Sequence, residues 1–248
     1  MKLNKIKPKF ITKFNSRIGL ITLGSDFRIE KDFNNIIYGR DIDLYVNRIH
    51  CYNPLTNETL AKMAEDITEV TKDILPDQKL DCVAYGCTSG TVAAGYDVIK
   101  EKVNLAKPEA KVTTPITSTV KALKVLGINK ISIFTPYTNT INNSVVSYFK
   151  KENIIINSLT YFNIDSDLDI GKIDEDYLFE VLSKIDLEDS DALFVSCTAL
   201  PVLSIIDKLE KKLNKVILSS NQTLIWDSLN EIDYKEKIDG FGKLFKMK

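Results

Sequence analysis

The sequence predicts an α/β protein of two pseudo-symmetric lobes, each a parallel sheet flanked by helices, with a cleft between them. Two observations carry this. Short apolar strand segments alternate with helix-spaced segments along the whole chain, the pattern of parallel sheets joined by right-handed crossovers. The second half also repeats the first: DCVAYGCT (81–88) overlays DALFVSCT (191–198) without a gap at an offset of 110. RIGLITLG (17–24) falls on KISIFTPY (130–137) at offset 113, and KVTTP (111–115) on KVILS (215–219) at offset 104. Three segments repeating in order at similar offsets indicate duplication.

The elements follow in order. Residues 1–16 read as an exposed basic arm. RIGLITLG is short, apolar and closed by Gly24, as a buried parallel strand should be, and a helix or ordered loop follows it. DIDLYVNRIH (41–50) alternates like a second strand, and TNETLAKMAEDITEVTKDIL (56–75) has helical spacing behind Thr56, a plausible cap. LDCVAYG (80–86) is a third strand, TVAAGYDVIKEKV (91–103) a helix, and KVTT (111–114) the last strand of the half. The second half runs through a strand at 130–137, a helix at 139–151, a strand at 154–162, helices at 174–184 and 201–213 flanking a strand at 191–196, and a final strand at 215–220. The resulting division gives 17–115 with 219–248 to the first lobe and 116–218 to the second.

Composition narrows the function. The chain has 248 residues, 44% of them hydrophobic, enough for a substantial core. With 33 basic and 34 acidic residues dispersed along it, the net charge is −1, and no footprint for nucleic acid or anionic lipid is expected. Runs such as KLEKKLNK (208–215) read as a solvated helix face. No apolar run approaches the roughly 20 residues of a membrane span, and the first residues lack a signal-peptide core, so a cytoplasmic location is expected. Cysteines at 51, 82, 87 and 197 with the single His50 have no metal-ligand spacing, so no metal is expected, and in a reducing compartment they stay thiols.

Two of these cysteines stand out. Most free cysteines simply fill space, and that reading suits Cys82 inside a strand and Cys51 beside His50; Tyr96 and Trp226 likewise read as core. Cys87 and Cys197 are paired by the repeat, each followed by threonine and each placed between a strand and a helix. Ligands of open parallel sheets bind beyond the carboxyl ends of the strands. A helix start there would lower a thiol pKa and hold a carboxylate, with Thr88, Ser89, Gly90 and Thr91 on one side and Thr198 and Ala199 on the other. Two opposed thiols can work on both faces of one carbon: one removes a proton while the other delivers one, or one adds to a double bond, the new single bond rotates, and elimination returns the other isomer. Neither route needs a cofactor.

YGCTSGT (85–91) and VSCTALP (195–201) also resemble the paired cysteine motifs of the aspartate/glutamate racemase superfamily, most closely its maleate cis–trans isomerase and ectoine-utilisation branch. The likeness runs through RIGLITLGSDFRIEKDF, LTNETLAKMAEDI, KISIFTPYTNTINN and SSNQTLIWDSL, about residues 17–229. It implies two pseudo-symmetric lobes, an active site between them and a homo-oligomer. It also implies a small carboxylate as substrate, with Cys87 as nucleophile, Cys197 as acid or base, Tyr137 on a substrate carboxylate and Asn163 as a further substrate contact. Thr88, Ser89 and Thr198 would line the same site.

Departures from the pattern are informative. Where those isomerases carry Ser-Asn after the first strand, this chain has Ser25 and Asp26. An ionised Asp26 in the cleft would repel a second carboxylate and favour an ammonium or amidine; the alternative is that it caps the next helix. Glutamate racemases have histidine after the second motif, where Ala199 and Leu200 stand here, and arylmalonate decarboxylases have glycine at the first cysteine, which this chain retains as Cys87. The expected function is a cofactor-independent racemase or isomerase of a small carboxylate or amino-acid-like compound. The alternatives are a non-enzymatic carboxylate or amino-acid sensor on the same fold, and a thiol redox sensor.

Overall fold

The structure, a computed structural model, describes residues 1 and 3–247. Two four-stranded, all-parallel sheets form its frame. The first holds β1 (Ser16–Leu23), β2 (Ile42–Ile49), β3 (Cys82–Gly86) and β4 (Lys111–Thr113) in the order β2-β1-β3-β4. The second holds β5 (Lys130–Thr135), β6 (Ile155–Tyr161), β7 (Ala192–Val195) and β8 (Val216–Ser219) in the order β6-β5-β7-β8. One topology is thus used twice. The central strands are buried on both faces, which is why β3 and β7 read as unbroken apolar runs.

Pairing register tests the repeat residue by residue. Ile18 pairs with Cys82 and Ile131 with Ala192, reproducing the offsets of 113 and 110 read from the sequence. In the last strands Cys82 pairs with Lys111 and Ala192 with Val216, an offset of 105. The sequence overlay at 104 is therefore one residue out of register, a slip that would exchange the two faces of the strand.

Helices cover the sheets. α1 (Ile29–Ile37) follows β1. The segment expected as one helix from 56 to 75 is α2 (Asn57–Lys62), a tighter 3-10 turn over Met63–Asp66 and α3 (Ile67–Lys72). Thr56 does cap it, exchanging hydrogen bonds with Thr59 in a capping box. The expected helix at 91–103 is two, α4 (Thr88–Ala94) and α5 (Tyr96–Ala106), because Gly95 lies between them at φ 90°, where only glycine is unstrained. α6 (Pro115–Leu126), α7 (Asn139–Lys151), α8 (Asp167–Gly171), α9 (Glu175–Leu182), α10 (Ile206–Leu213) and α11 (Ser220–Glu231) complete the set.

α11 organises the centre. It leaves the second sheet from β8 but packs on β3 and β4 of the first, on α1 and, most extensively, on α6. Its residues from Ser220 through Leu229 are all buried, including the hydroxyl and amide side chains that an amphipathic surface helix would expose. Among the described residues no helix is long and apolar enough to cross a membrane.

Candidate active site

In each sheet the chain reverses its direction of travel between the two central strands, at β1/β3 and at β5/β7, and the crevice at such a switch point is where open α/β sheets bind ligands. Asp26 and Cys87 lie just beyond the carboxyl ends of β1 and β3, and Tyr137 and Cys197 just beyond those of β5 and β7. All four are buried, with Cys87 only 3% and Cys197 only 6% exposed.

The two halves meet in one hydrogen-bonded cluster. Ser220 Oγ accepts from Thr88 Oγ1 at 2.8 Å and from the backbone amide of Cys197 at 3.0 Å, so one hydroxyl at the start of α11 fixes the residue after the first cysteine and the second cysteine itself. Thr198 Oγ1 donates to the carbonyl of Gly86 at 3.3 Å, tying the second cysteine loop to the end of β3. Asn221 Nδ2 donates to the carbonyl of Thr198 and to Asp32. Ser220 and Asn221 were not among the sequence-derived candidates, although the SSNQTL segment that carries them was part of the resemblance.

Cys87 stands as the N-cap of α4, where its sulfur accepts from the Gly90 amide at 3.2 Å with the Ser89 hydroxyl 3.9 Å away. The strand-to-helix placement predicted for this half is present. Burial nevertheless pushes the Cys87 thiol far above its ordinary value, the Gly90 amide opposing and Cys51 and Asp167 reinforcing the rise.

Cys197 differs from its expected setting. No helix starts directly after it: Thr198 and Ala199 belong to a turn, Pro201 follows without an N–H to donate, and the helix expected at 201–213 begins as a 3-10 turn at Leu203–Ile205 that leads into α10. Cys197 itself has φ 100°, a strained value for a residue with a side chain, held in part by the Ser220 hydrogen bond. Its thiol is pushed well up by burial and then by Asp167, against the Ala199 amide; Asp26 raises it further and the Tyr137 hydroxyl lowers it. The Tyr137 hydroxyl also accepts from Ser196 Oγ at 3.4 Å.

Asp26 bonds the amides at the start of α1 with one oxygen, although the N-cap position itself is Arg28. Oδ1 accepts from the amides of Arg28 at 2.7 Å and Ile29 at 3.1 Å, while Oδ2 has no hydrogen-bond partner among the described residues. Ser25 Oγ donates to Asp167 at 2.5 Å across the two halves. Asn163 is not brought into the cluster. It is exposed, at φ 67° in the left-handed region that asparagine tolerates, and the residue of this segment whose charge acts on both cysteines is Asp167, four positions later. The signal for Asp167 was its place behind Ser166, whose hydroxyl caps α8 and so turns the first helical side chain inward.

The other two cysteines differ from each other. Cys82 is wholly buried beside Thr113, its thiol pushed up to about 12, consistent with a space-filling role. Cys51 is only partly buried and sits at the edge of the cluster: burial raises it to about 11 against the Ser25 hydroxyl, and Asp167 and Asp26 add to the rise. A surface hollow of about 530 Å³ lined by Lys72, Pro76, Lys79, Lys107 and Pro108 does not include either paired cysteine.

A doubled parallel α/β frame with a cysteine at the end of the third strand of each sheet defines a class of two-lobed cysteine enzymes. Within it, this chain belongs to the arylmalonate decarboxylase family, whose model matches residues 50–245. It is 25% identical to a maleate isomerase of Geobacillus stearothermophilus over 94% of this chain and 98% of that one. Its fold superimposes with a TM-score of 0.86 on a mutant Nocardia farcinica maleate cis–trans isomerase bearing a covalently bound succinylcysteine intermediate, at 20% identity over 94% of this chain and 99% of that one. A liganded mutant of arylmalonate decarboxylase gives 0.82 at 20% identity, covering 94% and 100% of the two chains. The protein is an enzyme of isomerase type.

Proposed function

We propose that the protein is a cofactor-independent isomerase or racemase of a small carboxylate or amino-acid-like compound, with Cys87 and Cys197 as its reacting groups. The observation that carries the reading is that the two cysteines occupy equivalent ends of β3 and β7 and share one hydrogen-bonded anchor in Ser220. Two routes use that arrangement. In racemisation of the kind expected for an ectoine-degradation enzyme, one thiolate takes the proton from the stereocentre and the opposite thiol returns one to the other face. In cis–trans isomerisation of the maleate isomerase kind, the Cys87 thiolate adds to one alkene carbon and the π electrons move onto the neighbouring carbon beside its carboxylate; after rotation about the new single bond that pair re-forms the alkene as the C–S bond breaks and its electrons leave with the thiolate. Thr88, Ser89, Thr198 and Tyr137 would surround the reacting carbon. Asn163, being exposed, is given no part in it.

Both routes start from a thiolate, and burial holds both thiols protonated near neutrality. The rate should therefore climb as pH rises through the alkaline range. On this reading the enzyme works in a reducing cytoplasm as a homo-oligomer, the oligomer resting on the family resemblance alone. Its lobes would be 17–115 with 219–248 and 116–218, a division supported by the packing of α11 on β3 and β4.

Proton NMR in D2O with maleate, aspartate, glutamate, diaminobutyrate and acetylated diaminobutyrates tests it. Deuterium appearing at an α-carbon only when both thiols are present supports racemisation, and fumarate growing from maleate supports addition and elimination. Full activity in Cys87→Ser would sink the proposal.

A further inference from the structure

Two buried carboxyl groups beside the cysteines take no part in either route. Asp26, 1% exposed, follows β1; Asp167, 2% exposed, opens α8 in the other half of the chain. Ser25 joins them, covalently next to Asp26 and hydrogen-bonded through its hydroxyl to Asp167. No lysine or arginine side chain among the described residues bonds either carboxylate. Arg28 spends its guanidinium on the carbonyl of Gly171, and Arg48 donates to Glu30 and to the main-chain oxygens of Leu23 and Asp26.

Carboxylates removed from water in this way must either take up a proton or meet a positive charge. Burial pushes both upward, Asp167 to about 6 with the neighbouring Asp26 adding to the rise. Asp26 Oδ2 is enclosed with no partner in hydrogen-bond geometry, and the Thr198 hydroxyl and the Arg48 charge only partly oppose the effect of burial on the carboxyl. A second group points the same way independently. The Tyr85 hydroxyl, on the strand that ends at Cys87, is fully enclosed and unpaired, and it lies 2.9 Å from the point where a Cβ on Gly90 would stand, a point 2.8 Å from Cys87 Sγ. An unpaired hydroxyl beside Cys87 and an unpaired oxygen on Asp26 fit a polar ligand at the cysteines better than an apolar one.

We infer that Asp26 and Asp167, bridged by Ser25, form a subsite for a positively charged nitrogen of the substrate, an ammonium or amidinium group. The inference rests on the cysteine pair being the reacting centre and adds the substrate class. A dicarboxylate would set a second negative charge against this pair, whereas an amino or amidino acid places its cation there and its reacting carbon between the sulfurs.

Isothermal calorimetry on the full chain, titrated with 2,4-diaminobutyrate and separately with maleate at pH 7.5, tests it. The diamine is expected to bind about tenfold or more tighter than maleate, with Asp167→Asn reversing the order by weakening the diamine about tenfold and leaving maleate equal or tighter. If Asp167→Asn does not fold, Asp26→Asn serves, since asparagine keeps a side-chain oxygen for the Arg28 and Ile29 amides. Maleate binding as tightly as the diamine, no measurable diamine binding, or an affinity unmoved by the substitution would each overturn the subsite. Cysteine-dependent deuterium exchange alongside any of these would leave the reaction standing without the subsite. Aspartate-governed diamine binding with no turnover would do the reverse.

Discussion

Tyr85 holds a hydroxyl in the interior with nothing to bond to among the described residues, a state that costs about 1–3 kcal/mol relative to a paired group. Tyr85→Phe is accordingly expected to raise the melting temperature of the ligand-free protein. A lowered one would reveal a partner absent from the structure. Asp167 gives a prediction with a definite sign. Its folded pKa of about 6 lies above the ordinary 3.8, so the group favours the folded state fully below the ordinary value and loses that contribution as pH rises through 6. At pH 8 the buried charge then opposes folding by about 3 kcal/mol at most. Asp167→Asn keeps an acceptor for Ser25, so it should be more stable than the parent at pH 8, and the gain should shrink to nothing below about pH 4. Thermal denaturation across that range measures it, and a gain independent of pH would exclude the charge as its cause.

At the scale of the element, α4 is built around a missing side chain. A Cβ at Gly90 would sit 2.8 Å from Cys87 Sγ, 2.9 Å from Tyr85 Oη and 3.1 Å from Met63 Cε, all enclosed. Gly90→Ala is expected to cost about 1–3 kcal/mol through overpacking and to displace the Cys87 thiol, with turnover falling more than stability. Denaturant melts beside initial rates separate the two effects. Elements of this kind also mark how far the sequence could be read. Strands β3 and β7 and the paired cysteines were legible because a buried parallel strand needs an unbroken apolar run and a duplication presents the same run twice. Gly95 was visible as a letter, but TVAAGYDVIKEKV keeps helical spacing through it, and only the backbone shows two helices meeting there at positive φ. The turn after Cys197 is set by the Ser220 hydrogen bond, a contact between residues 23 apart that no local pattern encodes. The cap at Ser166 marks Asp167 locally as the first residue of a helix, but its place beside the site depends on Ser25, 142 residues away.

Across the whole molecule the cleft is shut. With both paired cysteines almost wholly enclosed, substrate can reach them only if the halves part, and named contacts hold them together: Ser25 to Asp167, Arg28 to the carbonyl of Gly171, the Leu55 amide to the carbonyl of Asp165, and Asn57 to Ser144. Removing one such tie lowers the free energy of local opening. Arg28→Ala should therefore speed modification of Cys87 and Cys197 by a bulky thiol reagent several-fold. Cys51, already partly exposed, should react first in either protein and at an unchanged rate. Mass spectrometry of timed, quenched samples assigns each site, and equal rates for the paired cysteines in the two proteins would mean that opening does not pass through this tie.

The crossing of α11 from the second sheet to the first has a consequence for how the chain is made. The first sheet is complete in sequence by Thr113, yet the helix that seals β3 and β4 spans Ser220–Glu231. While the chain emerges from the ribosome, that apolar face waits uncovered for more than a hundred residues of synthesis. The duplicated halves, though each carries its own sheet, can close only as one late event.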